Sequence, residues 1–170
     1  EVCRNLEDRG FEVTYLPVDE FGMVSPADVK QAITPRTTLI TIMHANNEVG
    51  TVEPIQEISA IAGNAGIAFH TDAAQSVGKI PTDVQSLGVD FLSVAGHKLY
   101  APKGIGALYI RDGLQLEKFM LGAGQEMGKR AGTENVLEIV GLGSACEIAA
   151  RDLEQNSLHL LRMSDLLHEG

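Results

Sequence analysis

Residues 89–110, VDFLSVAGHKLYAPKGIGALYI, contain two apolar segments separated by a turn that carries His97 and Lys98. The first segment, VDFLSVAG (89–96), and the last, IGALYI (105–110), have the apolar and β-branched composition of strands. The glycine-rich KGIG (103–106) predicts a tight turn into the second strand. Lys98 is therefore expected directly after a buried strand, although a lysine taken alone is more often a solvated surface residue.

Strands and helices alternate along the rest of the chain. The patterns predict strands at 11–18, 37–43 and 67–72, and helices at 25–33, 54–65 and from 135 onward. Such alternation is typical of parallel strands joined by helical crossovers, so the predicted fold class is α/β, with a mostly parallel sheet flanked by helices.

Local signals refine these elements. The strand TTLITIM (37–43) is almost continuously apolar, as expected for burial on both faces. Ser25 is the expected N-cap of the first of these helices, with Pro26 at its first position, and Gly66 is expected to end the second. The last helix is expected to break near 155–157, at Gln155 to Ser157.

The composition argues against nucleic acid and membrane as partners and against a disulfide or zinc scaffold. The 170 residues carry a formal net charge of −10, which argues against nucleic-acid binding. No segment approaches the roughly 20 continuous apolar residues of a membrane span. The two cysteines, Cys3 and Cys146, lack the spacing of a disulfide or zinc scaffold, so we expect a reducing setting, the cytoplasm or an organelle.

A start at Glu1 and an end at Gly170 suggest an internal segment of a longer protein.

Polar residues follow three predicted strands, in HANNE (44–48), HTDAAQS (70–76) and GHK (96–98). Ligands of open parallel sheets bind beyond the carboxyl ends of the strands, so these three clusters are expected to converge on one site. Loops are polar in general, however, and the pattern alone is modest support.

These clusters contain the groups that hold pyridoxal phosphate (PLP). A lysine such as Lys98 bonds covalently to the cofactor's aldehyde, and a carboxylate such as Asp72 keeps its pyridine nitrogen protonated. Gln75 is a candidate donor to the phenolic oxygen. Asp72 can equally be a turn or N-cap residue, Gln75 a solvated amide, and His70 a hydrogen-bonded, partly buried histidine.

A metal site is the less favoured alternative. His44, His70, Asp72 and His97 have ligand chemistry, but they lie on different elements and form no HxH or HExxH motif, so no metal is expected. The short GAG at 122–124 is weak support for dinucleotide binding.

The segment GAGQEMGKRAGTEN (122–135) places Lys129 and Arg130 beside a Gly-Thr pair just before a predicted helix. Backbone amides and cations at a helix start favour anions. Thr133 is therefore either the helix N-cap or a phosphate ligand.

Together, HANNEVG, HTDAAQSVGK, GHKLYAPKGIGALYI and GAGQEMGKRAGTEN resemble the cysteine desulfurases, PLP enzymes of the class-V aminotransferase group that also contains the selenocysteine lyases. The resemblance runs from about residue 10 to about 150. It implies that residues 1–150 are part of the PLP-binding large domain of fold-type-I enzymes, and that residues 151–170 form a helix leading to a C-terminal domain.

The resemblance also implies roles for six residues. Lys98 matches the lysine that bonds PLP and moves protons, Asp72 the partner of the pyridine nitrogen, and Gln75 the donor to the phenolic oxygen. His97 matches a phosphate-binding histidine, and Asn47 a residue that holds the substrate carboxylate. The sixth, Thr133, matches the threonine that reaches the phosphate of a neighbouring subunit's PLP, which implies a homodimer.

Two departures are informative. Many desulfurases have serine three residues before the lysine, where this chain has Ala95, so selenocysteine lyases or other class-V aminotransferases are alternatives. No match to the family's nucleophilic cysteine is found: Cys146 is expected to be buried in helix packing and Cys3 has no motif around it. The expected activity of the parent protein is conversion of cysteine to alanine, with sulfur passed as persulfide to an acceptor protein for iron–sulfur or thiolation pathways. A catalytically incomplete folded segment is the third alternative.

Overall fold

The computed structural model describes residues 1–169, which form a four-stranded sheet with helices. The strands are β1 (Leu39–Met43), β2 (Ala68–Asp72), β3 (Phe91–Ala95) and β4 (Gly106–Ile110), in the order β1-β2-β3-β4. The helices are α1 (Val2–Asp8), α2 (Pro26–Ala32), α3 (Ile55–Ala65), α4 (Val84–Leu87) and α5 (Val136–Glu169). The first three strands pair in parallel and β4 pairs with β3 in antiparallel fashion, which confirms the predicted mostly parallel α/β fold.

The main core lies between α3 and the sheet. Ile58 and Ala62 of α3 are fully buried and belong to the same cluster as Phe69 of β2, which is 1% exposed. Burial of such side chains is the chief source of folding free energy, at about 1.5–3 kcal/mol for each large one. Gly66 ends α3 in the left-handed conformation, with φ of 67°, as the sequence predicts.

A smaller second core joins α5 to the turn between β3 and β4. This turn, Gly96–Leu99, is a 3₁₀ helix and is called the lysine turn below. Leu99 packs with Ala101 and with Leu142 of α5, while Ala145 and Ala149 complete the contact. The long helix therefore supports the segment that carries Lys98.

The strand prediction for 11–18 is wrong. This segment forms no ladder within the described residues, where its only pairing is an isolated bridge between Val18 and Val24. The alternating pattern suits a strand, but β-structure depends on a partner strand more than on intrinsic propensity. The expectation that 37–43 is buried on both faces is also wrong, because β1 is an edge strand and Leu39 is half exposed.

Two predictions for the last helix are wrong. Helix α5 continues through 155–157 without a break, since polar side chains on an exposed helix face cost only tenths of a kcal/mol each. Cys146 is exposed rather than buried, because the inward face carries Leu142, Ala145 and Ala149 at helical spacing.

The predicted domain division at residue 150 falls inside α5 and stays a prediction. None of the helices described here has the length and apolarity needed to span a membrane.

The junction of β3 and β4 requires glycine. A Cβ on Gly106 would lie 2.6 Å from the carbonyl oxygen of Val94 on the paired strand, which is too close for any side chain. We expect Gly106→Ala to lower the free energy of unfolding by about 1–3 kcal/mol, the usual cost of forced overpacking. Gly63→Ala is the matched control, because its Cβ would meet nothing within 4 Å in helix α3. That change should stabilise the fold by about 0.5–1 kcal/mol. Urea unfolding of both variants measures the difference, and equal effects would contradict the steric explanation.

Candidate active site

Four of the six predicted site residues line one cleft at the carboxyl ends of the parallel strands. The cleft, about 260 Å³ in volume, is called the site cleft below. Its lining consists of Met43, Ala45, Asn47, Asp72, Ala74, Gln75 and Lys98. A larger concavity of about 490 Å³ lies beside α1 and contains none of the predicted residues. The expected convergence of the three polar clusters is therefore observed at the site cleft.

Backbone hydrogen bonds at the end of β2 bring these segments together. The amide of His44 donates to the carbonyl of Asp72 at 2.8 Å, which joins the end of β1 to the end of β2. The amide of Ala73 donates to the carbonyl of Ser93 at 3.0 Å, which joins β2 to β3. The three loops therefore leave the sheet side by side.

Asp72 ends β2, and Gln75 lies on the tight turn that follows. The amide of Ala74 donates to Oδ1 of Asp72 at 2.9 Å, which leaves Oδ2 as an acceptor for a ligand in the cleft. Ala73 and Ser76 are fully buried and anchor the turn from below. Asp72 is therefore both a turn residue and a cleft carboxylate, so the two interpretations of its sequence position are compatible.

The lysine turn is fixed by its backbone and by Leu99. The amide of Gly96 donates to the carbonyl of Ile105 at 3.0 Å, and that of Ala101 donates to the carbonyl of Gly96 at 3.1 Å. Tyr100 closes the turn with φ of 65°, a left-handed conformation uncommon outside glycine. With Leu99 buried on one side, the exposed side chain of Lys98 lies at the cleft on the other.

Asn47 lies on a loop that the side chain of Asn46 stabilises. Oδ1 of Asn46 accepts the amides of Glu48 and Val49 at 2.8 and 3.0 Å, which is the usual self-bonded geometry of an asparagine turn. The side chain of Asn47 is not needed for this turn and is exposed at the cleft.

His97 and Thr133 do not line the cleft. His97 is exposed on the lysine turn, and Thr133 is exposed before α5. Thr133 is not the N-cap, so that alternative is wrong: α5 begins at Val136, and Oδ1 of Asn135 accepts the amide of Glu138 at 3.4 Å. The phosphate-binding roles of His97 and Thr133 stay predictions.

His70 links three strands, a feature that the sequence left open. Its Nδ1 lies 2.7 Å from Oγ1 of Thr41 on β1, and its Nε2 lies 2.9 Å from Oγ of Ser93 on β3. A neutral imidazole has one donor and one acceptor nitrogen, so one hydroxyl donates to it and the other accepts. His70 is thus a hydrogen-bonded, partly buried histidine, one of the roles that its sequence position allowed. Thr41 and Ser93 were missed, and only their places on neighbouring strands could have indicated them.

The described residues contain no cluster of side chains that supports the alternative metal site. Both ring nitrogens of His70 are occupied, and His44 is 4% exposed, with an unpartnered Nδ1 in the part of the chain that the structure describes. No three His, Cys, Asp or Glu side chains among residues 1–169 lie close enough to hold a metal ion.

The buried histidines predict a pH dependence of stability. Burial lowers the pKa of His70 below 6.5, partly opposed by the charge of Asp72, and burial also lowers the pKa of His44. Because the unfolded chain takes up these protons at higher pH than the folded chain, the free energy of unfolding should fall as the pH drops below about 6.5. The slope between pH 6.5 and 5 should be weaker in His70→Gln. Urea midpoints across this range measure it, and a folded-state His70 pKa at or above 6.5 by NMR would contradict the prediction.

Comparison with known proteins adds independent information. Residues 2–170 match the model of the family described as Aminotransferase class-V. A cysteine desulfurase IscS of Methanosarcina thermophila is 53% identical over 168 residues, which are 99% of this chain and 42% of the relative. A probable mitochondrial cysteine desulfurase of Dictyostelium discoideum is 49% identical over 170 residues, or 99% of this chain and 38% of the relative. The chain thus spans less than half the length of these relatives.

Solved structures give the same result for the fold. A NifS-like protein superposes with a TM-score of 0.94 at 39% identity, covering 98% of this chain and 46% of that one. The structure described as SspA in complex with cysteine superposes with a TM-score of 0.83 at 51% identity, covering 86% of this chain and 43% of that one. With a family model matched along almost its whole length, this chain belongs to the class-V aminotransferase family.

Proposed function

We propose that this chain is part of a PLP-dependent cysteine desulfurase, which converts L-cysteine to L-alanine and transfers the sulfur as a persulfide. The observation that carries the proposal is the site cleft, whose lining includes an amine-bearing residue, Lys98, a carboxylate residue, Asp72, and two amide residues, Gln75 and Asn47. Both relatives compared above are named as cysteine desulfurases, which supports the same activity, and one related structure is a complex with cysteine.

The donor set of the cleft fits PLP. When bound, PLP supplies an aldehyde that bonds to amines and a protonated ring that withdraws electrons from the substrate's carbon atoms. Lys98 would hold the aldehyde through Nζ, and the free Oδ2 of Asp72 would accept the N–H of the ring. Gln75 would donate to the phenolic oxygen. Lys98 is also proposed as the base that moves protons within the cleft.

The remaining roles extend beyond the cleft. His97 is proposed to bind the phosphate, and Asn47 to bind the carboxylate of the amino-acid substrate. Thr133 is proposed to bind the phosphate held by a second subunit, which would make the enzyme a homodimer. The exposure of Thr133 supports this role, because an exposed side chain is accessible to another molecule.

The first group to take the sulfur is proposed to be a cysteine thiolate of the intact enzyme that lies outside these 170 residues. Neither Cys3 nor Cys146 lines the site cleft. In the reaction the carbon–sulfur bond of cysteine breaks, the carbon takes a proton to give alanine, and the acceptor thiol becomes a persulfide. An acceptor protein for iron–sulfur or thiolation pathways would then receive the sulfur, in the cytoplasm or in an organelle. Residues 1–150 are proposed as part of the PLP-binding large domain, with 151–170 leading to the C-terminal domain.

Substitution of Lys98 tests this proposal directly. In the intact protein we expect Lys98→Ala to abolish both the visible absorption of lysine-bound PLP and the formation of alanine from cysteine, because no other amine lines the cleft. Lys30→Ala, on the exposed surface of α2, is the matched control and should leave both unchanged. Unchanged absorption in Lys98→Ala would refute the assignment.

Ala95 favours one alternative, a selenocysteine lyase, because it lacks the serine hydroxyl found in many desulfurases. The intact protein should release alanine from cysteine, and a thiol of the enzyme should carry persulfide, detected by mass spectrometry after alkylation. Release of alanine from selenocysteine alone would instead assign the lyase activity.

A further inference from the structure

Lys79 joins the two segments that carry the proposed cofactor ligands. Its Nζ donates to the carbonyl of Gln75 at 3.1 Å and to the carbonyl of Lys98 at 3.2 Å. These two carbonyls belong to separate loops, one after β2 and the other after β3. We propose that Lys79 is a positioning residue, whose ammonium group holds the lysine turn against the Asp72–Gln75 turn and so sets the place of the Lys98 amine in the site cleft.

The surroundings of Lys79 suit a fixed contact better than a mobile surface lysine. The side chain is half-buried, and burial, followed by the nearby charge of Lys98, lowers its pKa. Gly78, just before it, has φ of 76°, and a Cβ there would lie 3.0 Å from Cβ of Ala149 on α5. The backbone beside Lys79 is thus packed closely against the same helix that supports Leu99.

The contact gives the lysine turn a second restraint, in addition to the packing of Leu99. Leu99 anchors the lysine turn in the second core, and the amides of Gly96 and Ala101 close it. The carbonyl of Lys98 has the ammonium of Lys79 as its partner. Hydrogen bonds to charged groups are among the stronger ones in proteins. Without this bond the turn keeps its anchor but loses its tie to the neighbouring loop, and a small displacement of a reacting group is enough to slow a reaction.

The inference rests on the proposed function only for its effect on PLP, and hydrogen exchange tests it without the cofactor. In the intact protein free of PLP, Lys79→Met should speed exchange of the Gly96 and Ala101 amides by about tenfold. The amide of Ile67, bonded to Ala62 in the main core, should exchange as in the wild type. Lys79→Arg keeps a cationic donor and should keep both turn amides protected.

With PLP added, the Lys79→Met variant should bond the cofactor about tenfold more slowly than the wild type. Stopped-flow absorption measures this rate. The control variant Lys30→Met should bond PLP at the wild-type rate. A wild type that gives no absorption would refute the proposed function and leave the exchange result standing. Unchanged amide exchange and unchanged PLP bonding in Lys79→Met would overturn the positioning role. It would also be overturned if the amide of Ile67 exchanged faster by the same factor as the turn amides, or if Lys79→Arg lost their protection as Lys79→Met does.

A measurement on the wild type covers the case in which Lys79→Met does not fold. Acetylation footprinting compares the reactivity of individual lysines in the native protein. Because Lys79 is half-buried and hydrogen-bonded, its deprotonated amine should react about tenfold more slowly than that of the exposed Lys30, once each rate is divided by the deprotonated fraction of that amine. Equal reactivity of the two lysines would overturn the positioning role.

Discussion

The hydrogen bonds at the last residues of β2 are the constraint on which the site depends. The carbonyl of Asp72 accepts the amide of His44, and the amide of Ala73 donates to Ser93, so the central strand ends in register with both neighbours. A slip of one residue would turn Phe69 and Thr71 out of the core and Asp72 into it, because successive side chains of a strand point to opposite faces. Core burial and cleft geometry therefore select the same register.

Much of the fold could be predicted from sequence because its elements have local signals. Gly66 marks the end of α3, and the apolar segments of β2, β3 and β4 lie within two residues of their predicted bounds. The failures share a different cause. The segment at 11–18 has the composition of a strand, but pairing is decided by a partner distant in sequence. Likewise, whether Cys146 is buried depends on which face of α5 meets the lysine turn.

The site was predictable to the extent that it follows strand ends. Asn47, Asp72, Gln75 and Lys98 each lie at or just after the end of a strand, and parallel pairing brings these strand ends together. The supporting contacts were not predictable, because they depend on three-dimensional register. Thr41, His70 and Ser93 lie on three strands and meet only when these pair side by side. Although the two loops were expected to converge, nothing in the sequence indicates that the ammonium of Lys79 donates to the carbonyls of Gln75 and Lys98.

The antiparallel pairing of β4 has a consequence for the order of assembly. Strands β3 and β4, with the lysine turn between them, form a hairpin of contacts close in sequence, whereas Asp72 and Asn47 reach the cleft only through parallel pairings across helical crossovers. Local contacts close with a smaller loss of chain entropy and form sooner. We therefore expect Lys98 to reach its final backbone conformation early in folding, and the carboxylate and amide groups opposite it to arrive later, when β1 and β2 complete the sheet.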